Sequence, residues 1–285
     1  MSTTWPQKLD AATLKTGSSV CVGLDPDPRR MPVPDVFEFN RAIIDATLDL
    51  ACAFKPQIAF YEALGIPGLN ALKRTVEHIR RVAPHAVVVG DAKRGDIDST
   101  AEAYARAMFD LWDFDVVTVH AYLGRQSIEP FLGQPGRGVL IVCRTSNPGA
   151  RELQDLRLQA SSSRADVPGK RLFEHVADLA EEWNGRGNIG LVVGATYPEE
   201  LGELRAAHPN LPILIPGVGA QGGDVAKAAR AGADRHGRGI MVSSSRGIIY
   251  ASSDPKSFPD ASRKAAERLR DEIRAALASQ NPADR

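Results

Sequence analysis

Cysteine is scarce in this sequence, with three among 285 residues. Cys21, Cys52 and Cys143 are widely spaced, form no CxxC pair, and each lies within an apolar run. This pattern argues against a disulfide framework or a structural zinc site. It predicts three reduced thiols that serve as small core residues.

Neither sign of charge is in excess, since Lys+Arg and Asp+Glu both total 35. No global field therefore attracts the protein to nucleic acid or to a membrane surface, and an anionic ligand needs a local site. No apolar stretch approaches the ~18 residues of a membrane span, and the first residues lack the apolar core of a signal peptide. We therefore expect a cytoplasmic protein that binds neither nucleic acid nor membranes.

Short β-branched apolar runs alternate with amphipathic stretches along the whole chain. The runs predict strands at 19–24, 52–57, 86–93, 115–120, 139–144, 189–194, 213–217 and 240–244. The apolar spacing near 3.6 residues predicts helices at 36–50, 69–82, 100–112, 171–183, 199–207, 223–231 and 261–277, with a weaker signal at 127–132.

Strands that are apolar on both faces and alternate with helices are typical of parallel β/α units. Eight such strands predict an α/β fold, a single (β/α)8 TIM barrel domain over 1–285, with a doubly wound open sheet as the alternative. The polar segment 159–169 predicts a mobile insertion after strand five, and 280–285 a flexible tail.

Charged residues lie at the carboxyl ends of the first three predicted strands, where a β/α barrel builds its active site. They are Asp25, Lys55, Asp91 and Lys93, and Asp96 adds a carboxylate in the next turn. Neighbouring strands lie about 4.8 Å apart, so these side chains are expected to meet. A structural ion-pair network is the alternative, but buried ion pairs are often replaceable by apolar residues. The set therefore favours a charged catalytic cluster.

The loops after strands seven and eight are rich in glycine and serine. They run from Pro216 to Gly223 and from Ser243 to Gly247, and they include the candidate substrate-binding residues Pro216, Gln221, Ser245 and Arg246. Glycines let backbone N–H groups approach an anion, and a guanidinium binds phosphate with two donors. A helix opening at 222–223 would add its N-terminus. The pattern predicts a phosphate site.

Three further features allow two interpretations each. Ser146, in the loop after strand five, could contact a polar ring above the site or form a local turn. Ser99 and Glu102 fit a capping box, which predicts a structural role for Ser99. His120 ends strand four without a partner histidine, which favours a polar contact over a catalytic role.

The segment from Asp91 to Ile97, DAKRGDI, with Thr100 four residues after Asp96, resembles the signature of the orotidine 5′-phosphate decarboxylases. The segments VGLDPDP, FKPQIAFYEALG, TSNPGA, PGVGAQGGD and SSSRGIIYA are similar to the same family in the same order. The resemblance spans about residues 20–255 and is nearest to the longer bacterial branch, called type 2.

This resemblance implies decarboxylation of orotidine 5′-phosphate to UMP without metal or organic cofactor, in a homodimer with shared active sites. Lys93 would protonate C6 of the pyrimidine, beside Asp91 near the departing carboxylate. The other implied roles are Lys55 bridging the charges to the ribose, Asp25 on a ribose hydroxyl, Asp96 and Thr100 in the partner's site, Ser146 on the pyrimidine, and Gln221 and Arg246 on the phosphate.

Two rival functions differ in what they require. Sugar-phosphate decarboxylases and aldolases share the barrel and the DxKxxD string, but they place a magnesium-binding glutamate where this chain has Lys55. A non-catalytic barrel that senses a phosphorylated ligand would not need Lys93.

Overall fold

Eight parallel strands form one closed sheet in the computed structural model, which describes residues 3–158, 169–218 and 223–279. The strands are β1 (Val20–Leu24), β2 (Ala51–Pro56), β3 (Val87–Arg94), β4 (Val116–His120), β5 (Gly138–Arg144), β6 (Ile189–Val193), β7 (Ile213–Pro216) and β8 (Ile240–Ser244). Each pairs with its neighbour in chain order, and β8 pairs with β1. This closure confirms the (β/α)8 barrel and is incompatible with an open doubly wound sheet.

Helices surround the sheet and also cover one end of it. They are α1 (Trp5–Thr16), α2 (Val36–Thr47), α3 (Ile58–Glu62), α4 (Gly65–Val82), α5 (Asp98–Arg106), α6 (Glu129–Leu132), α7 (Ala150–Gln154), α8 (Leu172–Trp183), α9 (Pro198–Ala207), α10 (Val225–Gly232), α11 (Arg246–Ile249) and α12 (Phe258–Ala278). A π-helical turn, Ala107–Leu111, extends α5, and a 3-10 turn, Arg125–Ser127, precedes α6. No helix in the described ranges is long and apolar enough to cross a membrane.

The sheet separates two apolar clusters, because its strands are buried on both faces. The larger cluster lies between the strands and the outer helices. The smaller one fills the barrel interior and includes Cys21, Cys52 and Met241. All three cysteines are buried and free, and burial raises the pKa of the Cys21 thiol to about 12. The prediction of inert core thiols is therefore confirmed for the described structure.

Helix α1 closes the amino-terminal end of the barrel, and the sequence-based prediction missed it. Trp5 and Leu9 are buried in the interior cluster, and Trp5 Nε1 donates a hydrogen bond to the Asn188 carbonyl at 2.8 Å. The start signal was present, since Thr4 N donates to Gln7 Oε1 at 2.9 Å and proline follows Trp5. Helix α1 therefore fills the floor of the barrel interior.

Several other boundaries differ from prediction. The predicted helix 100–112 begins at Asp98 and becomes π-helical after Arg106, and the weak helix 127–132 divides into a 3-10 turn and α6. The short helices α3, α7 and α11 were not predicted because they span only one turn or slightly more. The insertion 159–169, except for Gly169, and the tail 280–285 lie outside the described residues.

Candidate active site

The four charged residues from the first three strands meet at the carboxyl end of the barrel. Lys55 Nζ lies 2.9 Å from Asp91 Oδ2 and 3.9 Å from Asp25 Oδ1. Lys93 Nζ lies 2.6 Å from Asp91 Oδ1. The parallel register explains this, since Lys55 pairs with Gly23 of β1, two residues before Asp25. The alternating charges predicted from strand order are thus in direct contact.

Asp91 is the centre of this cluster, with both carboxylate oxygens engaged. Lys55 and Gln57 Nε2 donate to Oδ2, each at 2.9 Å. Lys93 and the Thr118 hydroxyl donate to Oδ1, at 2.6 and 2.9 Å. Four donors from three neighbouring strand ends leave the carboxylate little freedom to rotate, so it forms a fixed negative charge beside the Lys93 ammonium.

Burial and the neighbouring charges shift the pKa values of Asp91 and Lys55 in opposite directions, and the charges together outweigh burial. Burial alone would raise the pKa of Asp91, but the ammonium groups of Lys55 and Lys93 hold that pKa well below its usual range. Burial would lower the pKa of Lys55, but Asp91 and Asp25 raise it above its usual value. Asp91 and Lys55 are therefore both ionised across the neutral range.

Lys93 differs from Lys55 in its exposure and its backbone. The Lys93 side chain is 51% exposed at the rim, against 5% for Lys55. Its φ of 46° lies in the left-handed region, which is uncommon for a residue with a long side chain. The Ala92 and Lys93 N–H groups both donate to Thr118 Oγ1, at 3.0 and 2.9 Å. Thr118 thus holds the turn that aims Lys93.

A cavity of about 320 Å³ lies above this cluster, within the size range of small-ligand sites. Asp25, Lys55, Asp91 and Lys93 form one wall. The remaining wall includes Ser146, Asn147, Pro216, Ser245 and Arg246. The structure therefore brings the predicted charges and the described part of the predicted phosphate loops around one space.

The phosphate loops differ from prediction in one respect. Helix α10 begins at Val225, and Asp224 caps it by accepting the Lys227 N–H at 2.9 Å. The predicted start of the helix at 222–223 is therefore wrong, because Asp224 caps the helix immediately before Val225. The Asp224 carboxylate at this N-terminus also disfavours an anion there. Arg246 begins α11, and Gln221 lies outside the described residues. In the described part of the chain, Arg144 and Arg246 are the arginines that line this side of the cavity.

Asp96 and Thr100 do not join the cluster within one subunit, and neither lines the cavity. Asp96 lies in the turn after β3, where its Oδ1 accepts the Ile97 N–H at 2.9 Å. Thr100 is exposed on α5. The predicted cap by Ser99 is wrong, because the helix begins two residues earlier, with Ile97 as the residue before it and Ser99 inside it.

Two larger cavities, of about 670 and 950 Å³, lie at the opposite end of the barrel. Arg205 in the first is held by backbone carbonyls, including those of Gly232 and Leu211 at 2.7 and 2.8 Å. Its guanidinium stabilises the loops around β7 and β8. Size alone would favour these cavities, but the Lys55–Asp91–Lys93 charges line the cavity at the other end.

The described residues contain no group of three or more His, Cys, Asp or Glu side chains arranged to hold a metal ion. The buried Lys55 ammonium lies at the strand-two position where the magnesium-dependent rivals are expected to carry a glutamate. A cation there would repel a divalent metal.

Comparison with known proteins agrees with this geometry. The profile of the orotidine 5′-phosphate decarboxylase / HUMPS family matches residues 18–258, more than half of the chain. The chain belongs to this family. An orotidine 5′-phosphate decarboxylase from Azoarcus is 47% identical over 94% of this chain and 97% of the relative. One from Polaromonas naphthalenivorans is 49% identical, over 96% and 97%. The solved structure of Leishmania donovani OMP decarboxylase superposes with a TM-score of 0.82 at 36% identity, covering 98% of this chain and all of that chain.

Two residues of the site, Gln57 and Thr118, were not predicted from the sequence. Gln57 lies two residues after Lys55, so the strand alternation already placed it on the same face. Thr118 is the polar residue inside the apolar strand β4, and that contrast was the available signal. His120 packs on the loop before Asp96, since a Cβ on Gly95 would lie 2.4 Å from its ring.

Proposed function

We propose that this chain decarboxylates orotidine 5′-phosphate to UMP and carbon dioxide without a metal or organic cofactor, with Lys93 as the proton donor to C6. The observation that carries the proposal is the Lys55–Asp91–Lys93 array on one wall of a cavity whose other wall carries Arg246. Family membership and the names of the curated relatives support the same reaction.

The chemistry requires a fixed positive charge beside the reacting carbon. Loss of carbon dioxide leaves an electron pair at C6, and no adjacent carbonyl can take it up as an enolate. The Lys93 ammonium stabilises that charge and then transfers a proton to C6, leaving a neutral amine that solvent reprotonates. Asp91, at 2.6 Å, keeps the ammonium in place.

Asp25 supports the ribose position in this proposal. Its Oδ1 is buried and has no hydrogen-bond partner in the described part of the chain. A buried carboxylate oxygen without a donor is costly, and a ribose hydroxyl would supply that donor. Lys55, 3.9 Å from the same oxygen, would connect the ribose to the charged array.

Phosphate binding is assigned to the far wall of the cavity. Arg246 would bind the phosphate, with Ser245 and Pro216 lining the approach and Gln221 adding a donor. Gly23 permits this arrangement, because a Cβ there would lie 1.8 Å from Ser245 Oγ. Phosphate binding at a distance from C6 would supply energy for holding the reacting ring in place.

The homodimer with shared sites is also part of the proposal. Asp96 and Thr100 are outside their own cavity, which suits residues that reach a partner's site. Apolar side chains lie exposed on the same rim: Ile97 is 54% exposed, Tyr122 81% and Leu123 44%. Their burial against a second copy would remove this apolar surface from water.

We retain three further predictions from the sequence as part of this proposal. The chain is expected to act in the cytoplasm and to bind neither nucleic acid nor membranes. Residues 1–285 are expected to form a single domain, which is supported by the one closed sheet that extends through the described residues.

The deciding experiment uses purified protein, orotidine 5′-phosphate and excess chelator. We expect stoichiometric release of carbon dioxide and UMP at an unchanged rate with chelator. Activity that is lost with chelator and restored by magnesium would instead favour the metal-dependent decarboxylases. Tight nucleotide binding without turnover would favour a sensor.

A further inference from the structure

Arg144, the last residue of β5, has a fully buried guanidinium at the edge of the cavity. Its Nε lies 2.7 Å from Glu200 Oε2 on α9, and its Nη1 lies 2.9 Å from Asp155 Oδ1. The guanidinium also stacks 4.4 Å from the centre of the Tyr197 ring. Two carboxylates and a ring offset the cost of burying this charge.

A chain of hydrogen bonds leads from Arg144 into the loop above the site. Gln154 Oε1 accepts from Arg144 Nη1 at 3.5 Å and from Thr145 N at 2.9 Å. Gln154 Nε2 donates to Thr145 Oγ1 at 2.8 Å, and Thr145 Oγ1 donates to Asn147 Oδ1 at 2.6 Å. The residues on either side of Ser146 are therefore tied to one network.

The end of β6 supports the same loop from below. Gly194 N donates to the Arg144 carbonyl at 2.8 Å. A Cβ on Gly194 would lie 3.1 Å from Ser146 Cβ, so the strand backbone and Ser146 are in close contact. Ser146 is therefore held between the Arg144 network and the backbone of β6.

Glu200 connects this network to the base of the insertion after strand five. Arg171 Nη1 donates to Glu200 Oε1 at 3.1 Å. The stem of the insertion is paired, with Leu158 N donating to the Lys170 carbonyl at 2.9 Å. A single carboxylate thus binds both the guanidinium under the Ser146 loop and the one where the insertion rejoins the barrel.

We propose that Arg144 and Glu200 are positioning residues, which set the place of Ser146 over the pyrimidine through Gln154 and Thr145. This rests on the proposed function, since the contact of Ser146 with the pyrimidine is implied by the family resemblance and requires orotidine 5′-phosphate as the substrate. A purely stabilising role is served as well by apolar residues of similar volume. The directional bonds to Gln154 instead transmit a defined geometry to the loop.

The test is a double-mutant cycle on kcat/KM for orotidine 5′-phosphate, with Glu200→Gln and Ser146→Ala. An amide at Glu200 keeps the volume but turns an N–H group toward a guanidinium donor. A misplaced substrate contact lowers rate steeply, so we expect each single variant to lose roughly 10- to 100-fold. The double variant should lose no more than the worse single variant, because the two changes act through one contact.

Two further variants complete the design. Glu203→Gln, on the same helix, removes a carboxylate that bonds to Arg171 at 2.8 Å but not to Arg144, and should keep wild-type kcat/KM. Arg144→Lys keeps the charge but loses the two-pronged contact, and should match Glu200→Gln. Arg144→Ala would remove the buried guanidinium from Asp155 and leave Glu200 with Arg171 alone, and it is expected to misfold, so it is not used.

The outcomes separate this inference from the proposed function. A wild-type protein that releases no carbon dioxide overturns both. In an active enzyme, a silent Glu200→Gln or losses that multiply in the double variant overturn only the positioning role. A silent Ser146→Ala overturns the positioning role and the contact of Ser146 with the pyrimidine, but not the decarboxylation itself. Urea unfolding checks that each variant is folded. The midpoint should be unchanged for Glu203→Gln, and the other variants should show a cooperative transition.

Discussion

The Lys93 ammonium lies 2.6 Å from Asp91 Oδ1, within the same strand, while the other oxygen of Asp91 is held by Lys55 at 2.9 Å. The Asp91 carboxylate thus holds two ammonium groups that differ in solvent exposure. The buried lysine anchors the carboxylate, and the half-exposed lysine lines the cavity.

Thr118→Val should lower kcat while leaving the fold intact. The change removes the donor to Asp91 and the acceptor for two backbone N–H groups at Lys93. We expect a loss of roughly 10- to 100-fold in kcat and about 1–3 kcal/mol in the free energy of unfolding. Steady-state kinetics and urea unfolding measure both effects.

Thr47→Val is the matched control for that variant. Thr47 is also buried, but its hydroxyl donates only to the Ile43 carbonyl within α2, at 2.7 Å. Wild-type kinetics are expected. Equal kcat for Thr118→Val and Thr47→Val would contradict a role for Thr118 in aiming Lys93.

Stability should fall with acid in a way that depends on Asp91. Its pKa is lowered in the folded state, so its contribution is present above the unfolded value, near pH 4, and is lost as the pH falls toward the folded value. Urea unfolding between about pH 5 and about pH 2 should show a shallower decline for Asp91→Asn than for the wild type. Parallel declines would contradict the assigned ionisation.

Subunit mixing tests the shared site. Lys93→Ala and Asp96→Ala, each inactive alone, should regain activity when mixed, because a mixed dimer contains one site with both residues intact. Random exchange limits recovery to about a quarter of wild-type activity. A mixture that exchanges subunits, shown by a tagged copy, and stays inactive would place Asp96 in its own subunit's site.

Trp5→Ala should destabilise the barrel without touching the site. Trp5 is fully buried and its indole donates to the Asn188 carbonyl. We expect a loss of about 3–5 kcal/mol in the free energy of unfolding. Leu14→Ala on the same helix is the control, since Leu14 is 66% exposed. A similar loss in both variants would contradict the proposed role of α1 as the barrel's floor.

The sequence predicted the barrel because its strands are buried on both faces and therefore read as unbroken apolar runs. It also predicted the contact of Asp25, Lys55, Asp91 and Lys93, since parallel strands bring their ends together. It did not show that α1 closes the amino-terminal end of the barrel. The apolar face of that helix is weak and alternating, and it packs against strand residues of the barrel interior that are distant in the sequence.

Other details depended on geometry that spacing does not encode. The hydroxyl of Thr118 became part of the site only through the left-handed turn at Lys93. The start of α10 was set by the Asp224 cap rather than by the glycines before it. The sequence of the loop after β5 did not indicate that Arg144 is fully buried beneath it. The partners of Arg144 come from α9 and from beyond α7.

The most direct test of the account measures UMP formation and UMP binding by Lys93→Ala in the presence of chelator. Lys73→Ala, at an exposed site on α4, is the control and should behave as wild type. Lys93→Ala should bind UMP with a similar Kd but lose at least about a thousand-fold in kcat. A Lys93→Ala protein that keeps kcat within about tenfold of the wild type would contradict it.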